Sequence, residues 1–193
     1  MVSLLGHEGG RLADRLLAEL RRIIETTPAP EQVKRDFYER SARGSLIRGE
    51  NSENHFCVYF AAYDPFLSDV FIGHHKKADL WLFTGGHIDE GEIPAETVER
   101  EIQEEWGYRP NGLSIAQPSF LSITEINNLT QQACRRHYDN WYFLPLRREA
   151  FAPDEQCLKT EFYEARWMSI ANARSLIMDV STVQALDVLG EKQ

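Results

Sequence analysis

Cysteine is scarce in this chain. Cys57, Cys134 and Cys157 are far apart and odd in number. A disulfide framework is therefore not expected, the intervals match no zinc motif, and the thiols read as free groups of a reducing compartment. Long apolar runs are missing too: none approaches the ~18 residues of a membrane span. The first residues lack the basic-then-apolar order of a secretory leader, so the expected location is cytoplasmic, with no membrane partner. Positive charge is in deficit, with 21 Lys and Arg against 30 Asp and Glu and a net charge of −9. That argues against a broad basic face for long nucleic acid. A small phosphorylated ligand stays open, because a few local cations and a metal suffice to hold it. There is no internal repeat and no low-complexity stretch.

What remains is ordinary for a globular protein, with 42% hydrophobic and 26% charged residues. A chain of 193 residues is enough for one domain with a substantial core and an appendage.

The unusual stretch is Gly85 to Tyr108, GGHIDEGEIPAETVEREIQEEWGY. Its second half predicts a helix from Ala95 to Trp106. Pro94 suits the first turn, where a missing N–H costs nothing, and Gly107 suits a left-handed terminus. Ala95, Val98, Ile102 and Trp106 form one apolar stripe. Glu101 and Glu105 point the same way beside it, with Glu104 about a quarter turn further round. Like charges at this spacing cost the helix about 0.2–0.5 kcal/mol per pair, and acids near its end oppose its dipole. A hard divalent cation removes both penalties. Mg²⁺ takes carboxylate oxygens, keeps several waters and bridges to substrate phosphates. The preceding Thr84-Gly85-Gly86 and Glu90-Gly91-Glu92 read as a glycine loop that lets backbone approach a ligand.

Eight positions of this stretch fall into one pattern: Gly86, Glu92, Arg100, Glu101, Ile102, Glu104, Glu105 and Gly107. They resemble the signature of the Nudix hydrolases, with Tyr108 where that family usually has an aliphatic residue. The resemblance implies an α/β/α sandwich with a mixed sheet, and hydrolysis of the pyrophosphate bond of a nucleoside diphosphate linked to another group. It implies Mg²⁺, replaceable by Mn²⁺, as cofactor. Glu101 and Glu105 are the expected metal ligands, and Glu104 is a further ligand or the base. Arg100 would orient a catalytic glutamate, with Glu92 in the same network. The family often draws its base from a downstream loop, which here offers Asp154, Glu155, Glu161 and Glu164; Glu161 is preferred. Two rival readings are a binding module that lost catalysis and an isomerase of isoprenoid diphosphates, which would need Cys57 as an activated thiol.

The rest of the chain reads as a frame. Residues 1–45 predict two helices. One carries Leu12, Leu16, Leu17, Leu20, Ile23 and Ile24 as an apolar stripe, and the second runs from Glu31 to about Ser41. They are expected to pack on the domain at 46–193, with a dimerisation arm (hence a homodimer) or a lid as alternatives. Strands are expected at His55–Tyr63, Asp69–His75, Leu80–Phe83, once or twice within Leu113–Ile126, at His137–Leu146 and at Ala165–Met168. Helices close the chain near Ile170–Met178 and Thr182–Leu189. This is an α+β arrangement, a mixed sheet between helices. His74, His75 and Lys76, with Lys77, form the densest cationic cluster and could contact phosphates together with Gly85 and Gly86. Arg135 and Arg136 are weaker candidates. Trp141, Tyr142 and Phe143 are mostly core, because strand alternation lets only some face a pocket.

Overall fold

The computed structural model describes residues 5–115, 117–126 and 133–191, with side chains from residue 13 onward. Two N-terminal helices, α1 (Leu5–Thr26) and α2 (Glu31–Ala42), precede a seven-stranded mixed sheet. Its strands are β1 (Asn54–Asp64), β2 (Asp69–His75), β3 (Leu80–Leu82), β4 (Thr84–His87), β5 (Phe120–Glu125), β6 (Arg136–Pro145) and β7 (Phe162–Ser169). Helix α3 (Pro94–Trp106) follows β4, and α4 (Glu155–Glu161) precedes β7. Helices α5 (Ile170–Leu176) and α6 (Val180–Gly190) come last.

The sheet is organised around β1. It pairs in parallel with β6 along its whole length and antiparallel with β4 and with the start of β2. The order across the sheet is β3-β2-β1-β6-β5, with β7 on β2. Alternation along β1 and β6 divides two cores. Phe56, Val58, Phe60, Tyr138 and Tyr142 face α1, α2 and α3, where they meet Leu20, Ile23, Phe37, Val98 and Trp106. Ala61 and Trp141 face the other way, toward Leu186 and Leu189 of α6. Helices thus cover both faces of a mixed sheet, as expected of an α/β/α sandwich.

The helices of residues 1–45 share the first core. Leu20, Ile23, Ile24 and Phe37 are fully buried in it. The Arg40 guanidinium donates to the carbonyls of Gly44, Ser45 and Asn54, tying α2 to the start of β1. Arg15 reaches the other end of the molecule and pairs with Glu96 on α3 at 2.5 Å. The described part of the α1 stripe is spent inside this chain. The Leu12 side chain lies outside the described residues.

Two local expectations need correction. Gly85 and Gly86 are strand, not loop: β4 pairs with Tyr59 and Val58 of β1, and the chain changes partner at Phe83, between β3 on β2 and β4 on β1. Between Leu113 and Ile126 the described residues form one strand, β5, within the expectation of one or two. The segment holding Asp154 to Glu161 is a capped helix, because the Asp154 carboxylate accepts from the backbone N–H groups of Gln156 and Cys157.

Candidate functional site

Helix α3 begins and ends as its sequence dictates. Pro94 is in the first turn, and Glu96 accepts from the backbone N–H of Ile93. Gly107 closes the helix at φ +71°, in the left-handed region where a Cβ is unfavourable. Val98, Ile102 and Trp106 are buried in the core. That packing fixes the rotation of the helix and brings Glu101 and Glu105 against β4, while Glu104 stays exposed.

The two glycines of β4 serve these carboxylates. A Cβ on Gly86 would fall inside contact distance of the Glu101 carboxylate, and one on Gly85 would collide with the Val58 carbonyl. The Gly85 N–H donates to Glu105. Oε2 of Glu105 is buried with no hydrogen-bond partner among the described residues. Burial pushes the Glu105 carboxyl well above its usual range, and the charges of Glu101 and Glu161 push it further. Burial also raises Glu101, against the opposing pull of Arg100.

Arg100 binds this group together. Its Nε donates to Glu92 at 2.8 Å, Nη1 to Glu101 at 2.8 Å and to Glu104 at 3.1 Å, and Nη2 to the His87 carbonyl at 2.9 Å. Burial opposes the guanidinium's charge, but its acidic partners win and hold its pKa above the ordinary value. Glu92 is held by Arg100, by Thr97 Oγ1 at 2.8 Å and by the Asp89 N–H, so it is a structural partner and does not border the cavity. Burial raises the Glu92 carboxyl, the hydrogen bonds outweigh it, and its pKa ends below the usual range.

Glu101, Glu104 and Glu105 lie on the wall of a cavity of about 1150 Å³ that Gly85, Gly86 and Glu161 also line. Glu161 ends α4, which is anchored to α3 by the Asp154 N–H donating to the Trp106 carbonyl at 2.8 Å. Its carboxylate lies 3.2 Å from Lys77 Nζ and 3.6 Å from His75 Nε2. Of the other downstream acids, Asp154 is the helix cap, Glu155 pairs with Lys159, and Glu164 pairs with Arg166 on β7; none of them borders the cavity.

The cationic cluster divides in two. His75 and Lys77 line the cavity, whereas His74 stacks on Trp81 and pairs with Asp79, and Lys76 donates to the Lys159 carbonyl. Arg135 and Arg136 pair with Glu53 and Glu125. Trp141 is buried against Tyr59, 4.7 Å away and stacked; Tyr59 is the ring that reaches the cavity. Cys57 also borders it, but burial pushes the thiol well above its ordinary pKa, the opposite of an activated nucleophile. Two exposed apolar side chains also line the cavity: Met178, just before α6, and Val180, its first residue, are 81% and 68% exposed. Sequence reasoning passed over Arg48, Tyr59 and these two residues because they carry no motif.

The donor set suits a hard divalent cation. Glu105 offers an oxygen with no hydrogen-bond partner among the described residues, Glu101 stands one helical turn before it, and the charge of Glu101 opposes that of Glu105.

Comparison with known proteins matches the same region. The family described as NUDIX domain matches residues 41–185. An RNA pyrophosphohydrolase of Shewanella sediminis (strain HAW-EB3) is 34% identical over 96 residues, 46% of this chain and 56% of that protein. The CMP-5'-(N-acetyl-N-hydroxy-3-aminopropyl)phosphonate hydrolase of Streptomyces rubellomurinus (strain ATCC 31215) is 29% identical over 153 residues, 75% of this chain and 68% of that one. The chain thus spans little more than half the length of the RNA pyrophosphohydrolase. Among solved structures, the E. coli dihydroneopterin triphosphate pyrophosphohydrolase superposes with a TM-score of 0.57 at 20% identity, over 68% of this chain and 92% of that one, a likeness of fold.

Proposed function

The chain belongs to the Nudix family, and from that premise we propose that it is a divalent-metal-dependent pyrophosphohydrolase acting on a nucleoside diphosphate linked to another group. The observation that carries this reading is the buried, unpartnered oxygen of Glu105 beside Glu101 on the cavity wall. Glu101 and Glu105 would hold Mg²⁺, for which Mn²⁺ substitutes, with Glu104 as a further ligand or proton acceptor. When bound, such an ion neutralises phosphate charge and lowers the pKa of a water.

The chain's own residues do the rest. Arg100 holds Glu101 and Glu104 in place through one planar fork. Glu161 borders the same cavity, which supports it as the acceptor of the attacking water's proton. Lys77 offers positive charge to the phosphates, and His75, whose pKa burial lowers, offers a ring N–H, with Gly85 and Gly86 keeping the wall low. Tyr59, Met178 and Val180 give the non-phosphate part of the substrate an apolar surface.

The names of the relatives suggest an RNA carrying a pyrophosphate bond and a CMP-linked phosphonate as compounds to try beside simpler nucleoside diphosphate derivatives. The test is phosphate release from this panel with Mg²⁺ or Mn²⁺ and a coupled phosphatase, with Glu105→Gln beside the parent. Turnover of one compound that the variant has lost supports the reading. No turnover with either metal, but binding of the same compounds, would replace it with a non-catalytic binding module.

A further inference from the structure

We propose that His55, His87, Cys134 and His137 form a second metal site, a closed four-ligand site for Zn²⁺, distinct from the glutamates of α3. One ligand atom from each residue lies within 4.8 Å of every other. The Cys134 Sγ is 3.8 Å from Nε2 of His55 and 3.8 Å from Nε2 of His87. Tetrahedral zinc with its ordinary bond lengths sets such sulfur–nitrogen edges at about 3.6 Å. The three imidazole rings surround one point, with centroids 4.9, 4.9 and 5.2 Å apart.

The sheet builds this cluster. His55 and His137 are cross-strand neighbours on the parallel pair β1 and β6. His87 ends β4, opposite Cys57 on the other side of β1. Cys134 stands just before β6, in a segment pinned to β1 by the Arg135 N–H donating to the Glu53 carbonyl at 2.8 Å. Three separate pairings converge, so the donors are held by backbone and not by one flexible loop.

Two observations point to a ligand and not to a packed core. His137 is 93% buried, yet neither of its ring nitrogens has a hydrogen-bond partner among the described residues. Buried polar atoms are rarely left that way. His55 supplies the second: its Nδ1 lies 2.8 Å from the Asn51 carbonyl, which can only accept, so the proton is on Nδ1 and Nε2 presents a lone pair to Cys134. A ligating histidine is oriented in this manner by its outer nitrogen. Asp139, two residues further along β6, has an Oδ1 with no hydrogen-bond partner among the described residues, and an oxygen of its carboxylate lies within 4.8 Å of a His137 nitrogen.

The donor chemistry selects the metal. Thiolate and imidazole suit zinc, while the oxygen-only set of α3 suits magnesium, so one cavity wall would sort the two ions by softness. Binding releases the Cys134 proton to solvent and puts a Zn–S bond in its place. The His87 carbonyl already accepts from Arg100. A metal on the His87 ring would therefore fix the strand end on which Arg100 rests.

The test uses tag-free, full-length protein. After exposure to Zn²⁺ and gel filtration in Mg²⁺ buffer, elemental analysis should find about one zinc per chain. Co²⁺ in its place should give the intense visible bands of tetrahedral cobalt together with a near-ultraviolet sulfur-to-cobalt band. Cys134→Ser should lose the sulfur band, His137→Ala should retain less than about a tenth of the zinc, and Glu105→Gln should change neither reading. Circular dichroism on each variant separates ligand loss from unfolding. The Co²⁺ spectrum of the unaltered protein needs no variant. Absence of retained zinc, a weak octahedral cobalt spectrum, or zinc that leaves with Glu105→Gln and stays in His137→Ala would overturn the proposal.

Discussion

The Glu101 carboxylate fills the space that a side chain at residue 86 would need. Helix and strand meet there without a Cβ between them, so glycine at 86 serves this carboxylate as well as any ligand. Gly86→Ala should therefore damage the site before it damages the sheet. We expect a loss of about 1–3 kcal/mol from overpacking, with activity falling further than stability does. Paired melting curves and turnover of the variant would check this; unchanged turnover would show that Glu101 can stand elsewhere.

Glu105→Gln should separate function from stability. The buried, unpartnered carboxylate is a burden on the metal-free fold. The neutral amide is expected to raise the metal-free melting temperature while lowering turnover by roughly 10²–10⁴-fold. Millimolar Mg²⁺ should raise the melting temperature of the parent, because a ligand of the folded state stabilises it, and leave the variant unmoved. Equal shifts in both would place the ion elsewhere.

Arg100→Lys keeps the charge and loses the fork. One ammonium cannot serve Glu92, Glu101, Glu104 and the His87 carbonyl together. A fall in kcat of about 10–100-fold is expected, with a smaller change in KM. A change in KM alone would assign Arg100 to substrate binding.

The N-terminal helices should prove inseparable from the sheet. Leu20 and Phe37 are fully buried in its core. Leu20→Ala should cost about 2–5 kcal/mol, and removal of residues 1–45 should give a chain that does not fold cooperatively. Denaturant titration of both decides it; a well-folded 46–193 fragment would restore the boundary expected from the sequence.

Asp64 provides a pH signature away from the site. Burial raises its carboxyl, but the N–H groups of Arg148 and Phe66, at 2.8 and 2.9 Å, and the Arg147 guanidinium outweigh it. The folded pKa ends below the usual carboxylate range. That stabilisation is present above the unfolded value of about 4 and is lost as pH falls through the folded value. Asp64→Asn should lower stability near neutral pH by about 1–3 kcal/mol and flatten the acid limb of a melting-temperature profile. An acid limb as steep as the parent's would contradict the assignment.

The motif was legible because its carboxylates Glu101, Glu104 and Glu105 lie within one helix and the rest of it is close in sequence. Spacing along α3 tells which way Glu101 and Glu105 point, and Pro94 and Gly107 mark its ends. The long strands were legible in their aromatic and β-branched residues. Thr84-Gly85-Gly86-His87 was not: without side chains to alternate, its pairing with β1 is a tertiary fact. The helix after Asp154 was missed because seven residues carry little periodicity, although Asp154 ahead of Glu155 and Gln156 was a cap signal. The histidine–cysteine cluster could not be read at all, since its members come from β1, β4 and the approach to β6 and share no linear spacing.

That dispersal has a kinetic side. The parallel partner of His55 is His137, 82 positions later by subtraction of their numbers. Joining β1 to β6 means closing a loop that contains β2, β3, β4, α3 and β5. Chains dominated by such distant pairings fold in about milliseconds to seconds, while those with local contacts need microseconds to milliseconds. The strand pair that gathers the histidines thus carries a large loop-closure cost, and the cavity wall it forms shares that cost.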